Sequence, residues 1–381
     1  MAHLKLTTAG ESHGKALVAI IEGLPAHLAI DIERIQAELA VRQSGYGRGG
    51  RQKIERDRVE ILTGVRNCET LGSPITLCIY NKDYENWANC MSAGACEEVA
   101  MNAKSLTKVR PGHADLTGMK KFEQTDARNI LERASARETA IRVAAGGVFK
   151  QYLSALGVEI GGCVREICGV KDNGEYSFED CGRKNAETGI VDEAVSEQAK
   201  AKIAELRANG DTAGGVVEIR IKGLKSGFGS LMTYGEKLDA RLCAGLMSIQ
   251  AAKGVEVGAG FQAGSASGKA IHDEIFYDNA NGFYRETNRA GGIEGGMSNG
   301  EEIILRVAMK PIPTLMKGLS TVDYLTKQPC VAANERSDVC AIVAFEIIAE
   351  AVAAQVLAEA VAERLGGDTM LEVKARYNAL K

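Results

Sequence analysis

The sequence predicts an α+β fold built as a single domain over residues 1–381. Short apolar runs that alternate with polar residues predict strands, and longer runs with apolar residues every three or four positions predict helices. The two kinds of run are mixed along the chain, with no linker, charge block or internal repeat between them. Glycine is abundant, at 43 of 381 residues, and proline is scarce, so the loops are predicted to make tight turns and close backbone approaches to a ligand.

The overall composition is that of a globular protein and excludes several classes. Hydrophobic residues make up 45% of the chain and charged residues 25%, which excludes global disorder. The formal net charge of -4 argues against a nucleic-acid-binding protein. The most apolar stretch, residues 339–365, is interrupted by glutamates, and this excludes a membrane span.

The ten cysteines include no C-x-x-C pair, and residues 1–15 have no signal-peptide pattern. Disulfides belong to oxidising compartments. We therefore expect reduced, mostly buried thiols in a cytoplasmic protein without a zinc site.

In the first half of the chain, the two sequence periods predict four short strands and two helices. The predicted strands lie near residues 4–6, 18–20, 59–63 and 75–79. The first two flank the polar loop 8–15, which should be held at both ends. Asp31 is placed to cap the first helix. Ser135 and Glu138 have the spacing of a capping box, which predicts a second helix that ends at Gly157.

In the second half, residues 192–209 predict a polar, exposed helix closed by Gly210. Residues 217–221 alternate with charged residues and predict a half-buried strand. Residues 238–253 look helical, and a strand over 303–310 should stop at Pro311. The last long helix, 339–365, has glutamates four apart along one stripe and ends at Gly366. Glycine-rich loops fall at 223–230, 258–268 and 289–300.

Three glycine-rich segments match nucleotide-binding fingerprints in part, but their context argues against that function. Residues 45–50 fit G-x-G-x-x-G, yet they follow a helix and lead into a charged, strand-like stretch, the reverse of a Rossmann turn. Residues 258–263 are followed by a poor helix start. Residues 264–269 are one residue short of a P-loop and lack its Ser or Thr.

Two histidines in turns are candidates for proton transfer. His13 lies in the loop Gly10-Glu11-Ser12-His13-Gly14, and His113 follows Arg110 in a second turn. Histidine exchanges protons near neutral pH, and neighbouring glycines let a ligand approach the backbone. The alternatives are a surface histidine for His13 and a capped turn for His113.

Clustered cations predict a site for a small, multiply anionic ligand. Arg42, Arg48, Arg51 and Lys53 surround the glycine-rich segment 45–50, and Arg133 and Arg137 flank the helix start at Ser135. Guanidinium groups bind carboxylate and phosphate through paired hydrogen bonds, and a helix N-terminus adds free amides. The alternative for these side chains is a solvated surface.

Two further segments admit a binding role or a structural one. Residues 310–314, with the sequence Lys-Pro-Ile-Pro-Thr, offer a cation and a hydroxyl to a phosphate, or simply end a strand at proline. Ser337 and Asp338 precede the last helix, where either would be expected to act as its cap.

Taken in order, these segments resemble the chorismate synthase family. The matches span most of the chain from Gly10 to Ile342, and two small departures are Ala134, where many members have serine, and Val41, where a further arginine is common. The matching segments are GESHG at 10–14, RQSGYGRGGR at 42–51, RPGHADLTG at 110–118, ERASARETAIRVAAGG at 132–147, KLDARLCAGLMSIQAAKGVEVGAGF at 237–261, NRAGGIEGGMSNGE at 288–301, KPIPT at 310–314 and ERSDVCAI at 335–342.

The resemblance implies a β-α-β sandwich, with helices packed between two mainly antiparallel sheets, and a homotetramer. It implies a lyase that converts 5-enolpyruvylshikimate 3-phosphate to chorismate by 1,4-elimination of phosphate, the last common step of the shikimate pathway to aromatic amino acids. Such an enzyme needs reduced FMN although the reaction has no net redox change. NADPH or a separate flavin reductase would supply the reduced cofactor, and the lack of a long insertion favours the reductase.

Site residues also follow from the resemblance. His13 would be the acid near the leaving phosphate, His113 the proton source near the reduced flavin, and Ser12 with Asp338 a proton relay. The substrate anions would be held by Arg42, Arg48, Arg110, Arg137 and Arg336. The FMN contacts would be Arg133, Ala134, Ser135, Gln250, Ala251, Gly295, Lys310, Pro311, Ile312, Pro313, Thr314 and Arg336. NADP would contact Arg42 and Arg48, and no metal site is implied.

Two other functions use some of the same residues. A flavin or nicotinamide oxidoreductase acting on a small acid would use the same arginines and glycines, and net oxidation of a substrate would identify it. An RNA-binding protein would use residues 43–58, but that segment has Tyr46 as its single aromatic residue and the chain is acidic overall.

Overall fold

The computed structural model describes residues 4–49, 56–280, 282–333 and 337–380. Within these ranges, strands and helices are mixed along the chain, as the sequence periods predict, although several elements follow others of their own kind. The strands are β1 Lys5–Ala9, β2 Ala16–Glu22, β3 Glu60–Thr63, β4 Val65–Arg66, β5 Glu69–Thr70, β6 Ile75–Tyr80, β7 Glu159–Ile167, β8 Val170–Lys171, β9 Gly215–Lys222, β10 Ala252–Val257, β11 Ile275–Asp278, β12 Gly282–Arg285, β13 Ile293–Glu294, β14 Met297–Ser298, β15 Ile303–Met309, β16 Ser320–Val322 and β17 Pro329–Val331.

The helices include four long ones, α1, α6, α8 and α11, and several of one or two turns. Their bounds are α1 Ile32–Arg42, α2 Ala88–Met91, α3 Glu98–Lys104, α4 Asp115–Lys121, α5 Arg128–Ala134, α6 Thr139–Ser154, α7 Phe178–Cys181, α8 Glu193–Asn209, α9 Leu238–Met247, α10 Gly268–Ile271, α11 Ile342–Leu365 and α12 Met370–Ala379. Turns of 3₁₀ helix add Lys82–Asn86, Ala136–Glu138, Tyr234–Glu236 and Gly260–Ser265.

The N-terminal sheet has four antiparallel strands in the order β1-β2-β6-β3. Strands β1 and β2 pair from Lys5 opposite Glu22 to Ala9 opposite Val18. The loop between them is therefore held at both ends, as predicted, and this fixes the position of Ser12 and His13.

The second sheet has five antiparallel strands in the order β10-β15-β9-β7-β8. Strand β9 is central, and its Glu218 is fully buried rather than half-exposed. The predicted half-buried pattern holds for Val217, Ile219 and Ile221, which are buried, and for Arg220 and Lys222, which are partly exposed; it is wrong at Glu218 alone. Glu218 can be buried because it accepts from Arg220 Nε and Arg306 Nε, each at 2.8 Å.

Helices fill the space between the two sheets, which confirms the predicted sandwich. Helix α6 packs on β2 and β6 of the first sheet, and α11 packs on β7 and β9 of the second. Helix α1 contacts both α6 and α11. One apolar core runs through all of these layers, from Leu17 and Ile21 on β2 to Val217 and Ile219 on β9.

Helix ends follow the capping predictions at some sites and not at others. Asp31 caps α1 by accepting from the backbone N–H groups of Glu33 and Arg34, and Gly210 ends α8 in the left-handed conformation, with φ 72°. The capping box at Ser135 is wrong. Ser135 caps a 3₁₀ turn through the Arg137 N–H, while Glu138 turns away to accept from Thr8 and Gln250.

Helix α11 is buried along almost its whole length, including two of its glutamates. Glu346 is fully buried and Glu350 nearly so. Lys184 Nζ lies 2.8 Å from Glu346 Oε1, and Lys150 Nζ lies 2.7 Å from Glu350 Oε2. These two glutamates therefore belong to an internal network with Lys150 and Lys184, whereas Glu359 and Glu363 of the same stripe are partly exposed and pair with Arg241. No helix in the described ranges is both long enough and apolar enough to cross a bilayer.

Candidate active site

A cavity of about 430 Å³ opens where the loop after β1, the end of α1, the α5–α6 junction and the end of β15 meet the segment before α11. Most of the predicted site residues line it: Ser12, His13, Arg42, Arg48, Arg110, His113, Ala134, Ser135, Arg137, Gln250, Ala251, Lys310, Ile312, Pro313, Thr314 and Asp338. Segments from across the chain thus converge on one space of the size that small ligands and cofactors occupy.

His13 is fixed from two sides. The Glu132 carboxylate accepts from the His13 backbone N–H at 2.7 Å and lies 2.9 Å from its ring Nδ1. The Trp87 ring stacks against the imidazole, with 4.0 Å between ring centroids. Because a carboxylate only accepts hydrogen bonds, Nδ1 carries the proton and Nε2 is the nitrogen that can exchange one with a ligand.

Glu132 is in turn held in its charged form. Burial by itself would raise the pKa of Glu132, but hydrogen bonds from His13 and Arg128 outweigh burial and lower that pKa. Arg128 NH1 lies 3.2 Å from the carboxylate. The negative charge behind His13 is therefore present at neutral pH.

His113 has a similar arrangement on the other side of the cavity. Its Nδ1 lies 2.5 Å from Asp115 Oδ1, and Arg110 Nε donates to Asp115 Oδ2 at 2.8 Å. Burial opposes the charge on Asp115, but the hydrogen bonds from His113 and Arg110 lower its pKa well below the ordinary range. Arg110 also donates to Thr314 at 3.2 Å, which joins this pair to the end of β15.

Arg42 and Arg137 share one buried carboxylate, Asp57. Arg137 NH1 lies 2.6 Å from Asp57 Oδ1, and Arg42 NH1 lies 3.3 Å from Oδ2. Thr139 accepts from Arg42, and Asn81 accepts from Arg137, each at about 3 Å. Burial lowers the pKa of Arg42 to about 10, so it stays protonated at neutral pH.

Asp338 has a different partner from the one the sequence suggests. Helix α11 begins at Ile342 with Ala341 as its N-cap, so neither Ser337 nor Asp338 caps it, and that expectation is wrong. Asp338 instead accepts from the Gly49 N–H at 2.6 Å and pairs with Arg48 at 3.0 Å. Arg336, along with Arg51 and Lys53, lies outside the described residues.

The predicted flavin contacts fall into two groups. Ala134, Ser135, Gln250, Ala251, Lys310, Ile312, Pro313 and Thr314 line the cavity. Arg133, Pro311 and Gly295 are not among the lining residues; Arg133 donates to Thr8, and Gly295 turns the β13–β14 hairpin.

The residues present fit a phosphate-bearing cofactor. The buried Gln250 Oε1 and Arg48 Nε have no hydrogen-bond partner within the described part of the chain. Ala251 holds a left-handed backbone, φ 72°, which non-glycine residues rarely adopt and which tends to persist at ligand sites. Burial, together with nearby Lys253, lowers the pKa of Lys310, and an anion beside it would relieve both effects.

Sequence reasoning missed the acidic and aromatic supports of this site. Asp115, two residues after His113, could have been found from its spacing. Asp57, 15 positions after Arg42, could also have been found from the charges around residues 45–50. Glu132 and Trp87 could not, since each reaches His13 from a distant part of the chain. Five arginines, Arg128 included, and Lys310 against three aspartates and Glu132 leave the site positive within an acidic protein.

A buried cationic cavity with two carboxylate-held histidines defines an enzyme of the acid–base class that acts on a small polyanion. Comparisons with known proteins give the family. The chorismate synthase family model matches residues 4–362. Chorismate synthases of Geotalea uraniireducens and Geobacter sulfurreducens are each 51% identical, over 98% of this chain and 97% of their own length. A crystal structure of chorismate synthase superimposes with a TM-score of 0.78 at 38% identity, covering 99% of this chain and 96% of that one.

The chain therefore belongs to the chorismate synthase family. Enzymes of this family are lyases that depend on reduced FMN and catalyse the last step of the shikimate pathway.

Proposed function

We propose that this chain catalyses the 1,4-elimination of phosphate from 5-enolpyruvylshikimate 3-phosphate, which yields chorismate. This proposal is supported by the five cationic side chains and two carboxylate-held histidines that line one cavity. A substrate with two carboxylates and a phosphate requires a cationic lining, and its departing phosphate requires a nearby acid.

The arginines bind and orient the substrate anions. Arg42 and Arg137 are held by Asp57, Arg110 by Asp115, and Arg48 by Asp338. Each guanidinium is thus fixed before the ligand arrives, and little reorganisation is needed when charge develops on the phosphate. Arg336 is proposed as a further substrate contact on family resemblance alone.

The histidines manage protons at two places. His13 delivers a proton through Nε2 to the leaving phosphate, while Glu132 at Nδ1 stabilises the charged imidazole. His113 holds a second proton beside Asp115 as the proton source for the reduced flavin, and Ser12 with Asp338 would relay a proton at the flavin nitrogen N5. When bound, reduced FMN would supply electron density that weakens the C–O bond and a nitrogen that accepts the substrate C6 proton.

The cofactor would be held by the flavin contacts that line the cavity. Ser135 and Gln250 offer polar groups, and Lys310 and Thr314 suit the FMN phosphate. Arg133, Pro311, Gly295 and Arg336 are proposed contacts from the resemblance. NADPH at Arg42 and Arg48, or a separate flavin reductase, would keep the flavin reduced.

We further propose a cytoplasmic homotetramer built from single-domain chains. The continuous core supports one domain per chain. Exposed aromatic side chains, among them Phe261, Tyr277 and Phe283, support assembly, because large exposed apolar surfaces commonly mark interfaces.

An anaerobic assay tests the proposed reaction. The protein is mixed with chemically reduced FMN and 5-enolpyruvylshikimate 3-phosphate, and released phosphate and chorismate absorbance are followed together. Equal amounts of the two products, absent with oxidised FMN, are expected. A repeat with NADPH and oxidised FMN identifies the reductant. No product from folded, FMN-binding protein would overturn the proposal and favour an oxidoreductase.

A further inference from the structure

Two cysteines that do not line the candidate active site have their sulfur atoms in direct contact. Cys163 is on β7 and is fully buried, and Cys181 ends α7 and is almost so. Their Sγ atoms share a hydrogen bond at 3.3 Å. Within the described residues, which include all ten cysteines, this is the one contact of its kind among the hydrogen bonds.

Contacts at the start of α7 and with the sheet hold this helix in place, which keeps the two sulfur atoms next to each other. Ser177 and Asp180 form a full capping box at its start. Glu179 pairs with Lys222 of β9 at 2.7 Å, and Phe178 packs over Gly161 of β7, where a Cβ would meet its ring at 3.4 Å. The anchoring holds Cys181 against the strand that carries Cys163.

One of the two sulfurs is reachable through a second cavity. Cys181 lines a cavity of about 400 Å³ between α1, α6, α7 and α11, together with Lys150, Lys184 and Glu350. Cys163 is not among its lining residues. A small molecule entering this cavity would therefore meet Cys181 first.

The surroundings favour a reactive sulfur at Cys181. The hydrogen bond shared with Cys163, together with the charges of Arg220 and Lys184, outweighs burial and the charge of Glu218, and the pKa of Cys181 is lowered. The same hydrogen bond and burial raise the pKa of Cys163. Oxidants react with a thiolate and not with a thiol. Cys181 is therefore both the more reactive and the more accessible of the two cysteines.

We propose that Cys163 and Cys181 form a reversible oxidation site, at which hydrogen peroxide entering the second cavity converts the two thiols to a disulfide. The Cys181 thiolate attacks one peroxide oxygen, the O–O bond breaks, and the other oxygen leaves as water with a proton from the surroundings, which gives a sulfenic acid. The Cys163 sulfur then attacks the Cys181 sulfur while its proton passes to the sulfenic hydroxyl group, which leaves as a second water. Both sulfurs are oxidised, the peroxide is reduced, and two thiols plus one hydrogen peroxide molecule give one disulfide and two waters.

The geometry requires little movement for the second step. Disulfide sulfurs lie about 2.05 Å apart, so the present 3.3 Å contact needs to close by roughly 1.3 Å. Thiol reductants reverse the reaction by exchange. The inference does not depend on the lyase activity, and its test uses no turnover measurement.

The test uses the full chain, fully reduced and then freed of reductant. Native protein receives hydrogen peroxide for a short time, is denatured in N-ethylmaleimide, and is measured by intact mass and peptide mapping. We expect the free thiols to fall from ten to eight, with a peptide that joins Cys163 to Cys181. Dithiothreitol should restore all ten. The exposed Cys68 serves as the internal reference for non-specific oxidation.

Single substitutions identify the attacked sulfur. In Cys163→Ser, dimedone should label Cys181 as a sulfenic acid, whereas in Cys181→Ser it should not label Cys163. The matched control Cys243→Ser, which removes a half-buried thiol elsewhere, should leave the cross-link intact. The inference is overturned if the cross-link is absent from native parent protein at doses that oxidise Cys68, or if dimedone labels Cys163 and not Cys181.

Discussion

At the scale of single residues, His13 shows how distant side chains shape one catalytic candidate. The loop glycines set its backbone, Glu132 sets its tautomer, and Trp87 covers its ring. Lys104 and Arg128 lie 4.2 Å and 5.0 Å from the centroid of that indole, so cations also pack against it. The imidazole is therefore held in one orientation with one nitrogen available to a ligand.

Replacing His13 by alanine should separate catalysis from binding. We expect His13→Ala to lower turnover by about 10²–10⁴-fold, because general-acid catalysis contributes on that order. FMN affinity should change little, since none of the proposed flavin contacts is altered. Anaerobic turnover and flavin fluorescence titration measure the two effects. His27→Ala, at an exposed histidine, is the control, and unchanged turnover in His13→Ala would remove this residue from the mechanism.

Residue roles could be predicted where the local sequence carries the signal. The glycine-flanked His13 and the arginines around residues 45–50 were found because their neighbours in sequence mark them. Glu132 was not, since it lies 119 positions from the histidine that it holds. Local spacing offered Asp338 only a capping role, and the resemblance added a role as a proton relay. Its observed partners, Arg48 and Gly49, lie across the fold, where no local rule could place them.

At the scale of elements, α6 and α11 approach each other closely in the core. A Cβ added at Gly146 would lie 2.3 Å from Ala351 Cβ and 2.6 Å from its Cα. Real Cβ atoms do not come so close to backbone, so the two helices would have to separate. Small residues at this crossing thus set the spacing of the middle layer.

Gly146→Ala should destabilise the protein although alanine favours helix. Overpacking typically costs about 1–3 kcal/mol, which exceeds the gain of about 1 kcal/mol in helix propensity. Urea denaturation followed by circular dichroism measures the free energy of unfolding. Gly264→Ala is the matched control, because a Cβ there meets nothing within 4 Å. Equal stability of the two variants would contradict this packing argument.

Replacing the two buried glutamates of α11 by glutamine should affect the stability of the protein differently, because the pKa of one glutamate is raised and that of the other is lowered. Burial, and then the neighbouring Glu350, raises the pKa of Glu346 well above its ordinary value. Burial alone would also raise the pKa of Glu350, but Lys150, the hydrogen bond from Glu346 and the charge of Lys184 together outweigh burial and lower it. A raised folded-state pKa means that Glu346 contributes stability below its unfolded pKa and that this contribution is lost as pH rises towards the folded value.

Glu346→Gln should therefore remove a pH-dependent loss of stability. We expect its Tm to fall less than that of the parent between roughly pH 5 and pH 8. Glu350→Gln should lose about 3 kcal/mol at neutral pH, because it removes a charged partner of the buried Lys150. Thermal denaturation across this pH range tests both, and a Glu346→Gln variant less stable than Glu350→Gln at the upper end would contradict the assignment.

Elements were predictable where one local rule decided them. Asp31 and Gly210 mark helix ends through hydrogen bonds and φ values that depend on adjacent residues. The box at Ser135 failed because Glu138 finds partners on β1 and after α9, which no local rule includes. Strand β9 has the alternation of a half-exposed strand, and only its central place in the sheet buries Glu218.

At the scale of the whole molecule, the layer order came from the resemblance and not from patterning. Periodicity indicated mixed strands and helices, but strand order depends on pairings between distant segments, such as β2 with β6 and β9 with β15. Helix α12 was not predicted, since its short run after Gly366 and Gly367 carries a weak apolar pattern.

The assembled molecule should have four chains. Light scattering on a sizing column is expected to give four times the 40.6 kDa of one chain. Tyr277 and Phe283 form an exposed aromatic pair across the β11–β12 hairpin, with ring centroids 5.1 Å apart, and an interface would cover them. Phe283→Asp should therefore lower the measured mass, while Val99→Asp, at an equally exposed site on α3, should not. A monomeric parent would contradict the tetramer.

The burial of α11 determines which parts of the protein can open locally. Its Ala344, Phe345 and Ile348 form a wall of the candidate active site, while Ile347 and Glu350 face the second cavity. Amide deuterium exchange in such a helix requires opening of the middle of the protein, so its protection should approach that of global unfolding. The wall of the active site that α11 forms would then be the slowest-exchanging part of the chain. The ligand-facing loops, which carry His13, Arg48 and His113, would supply the local motion through which substrate enters and product leaves.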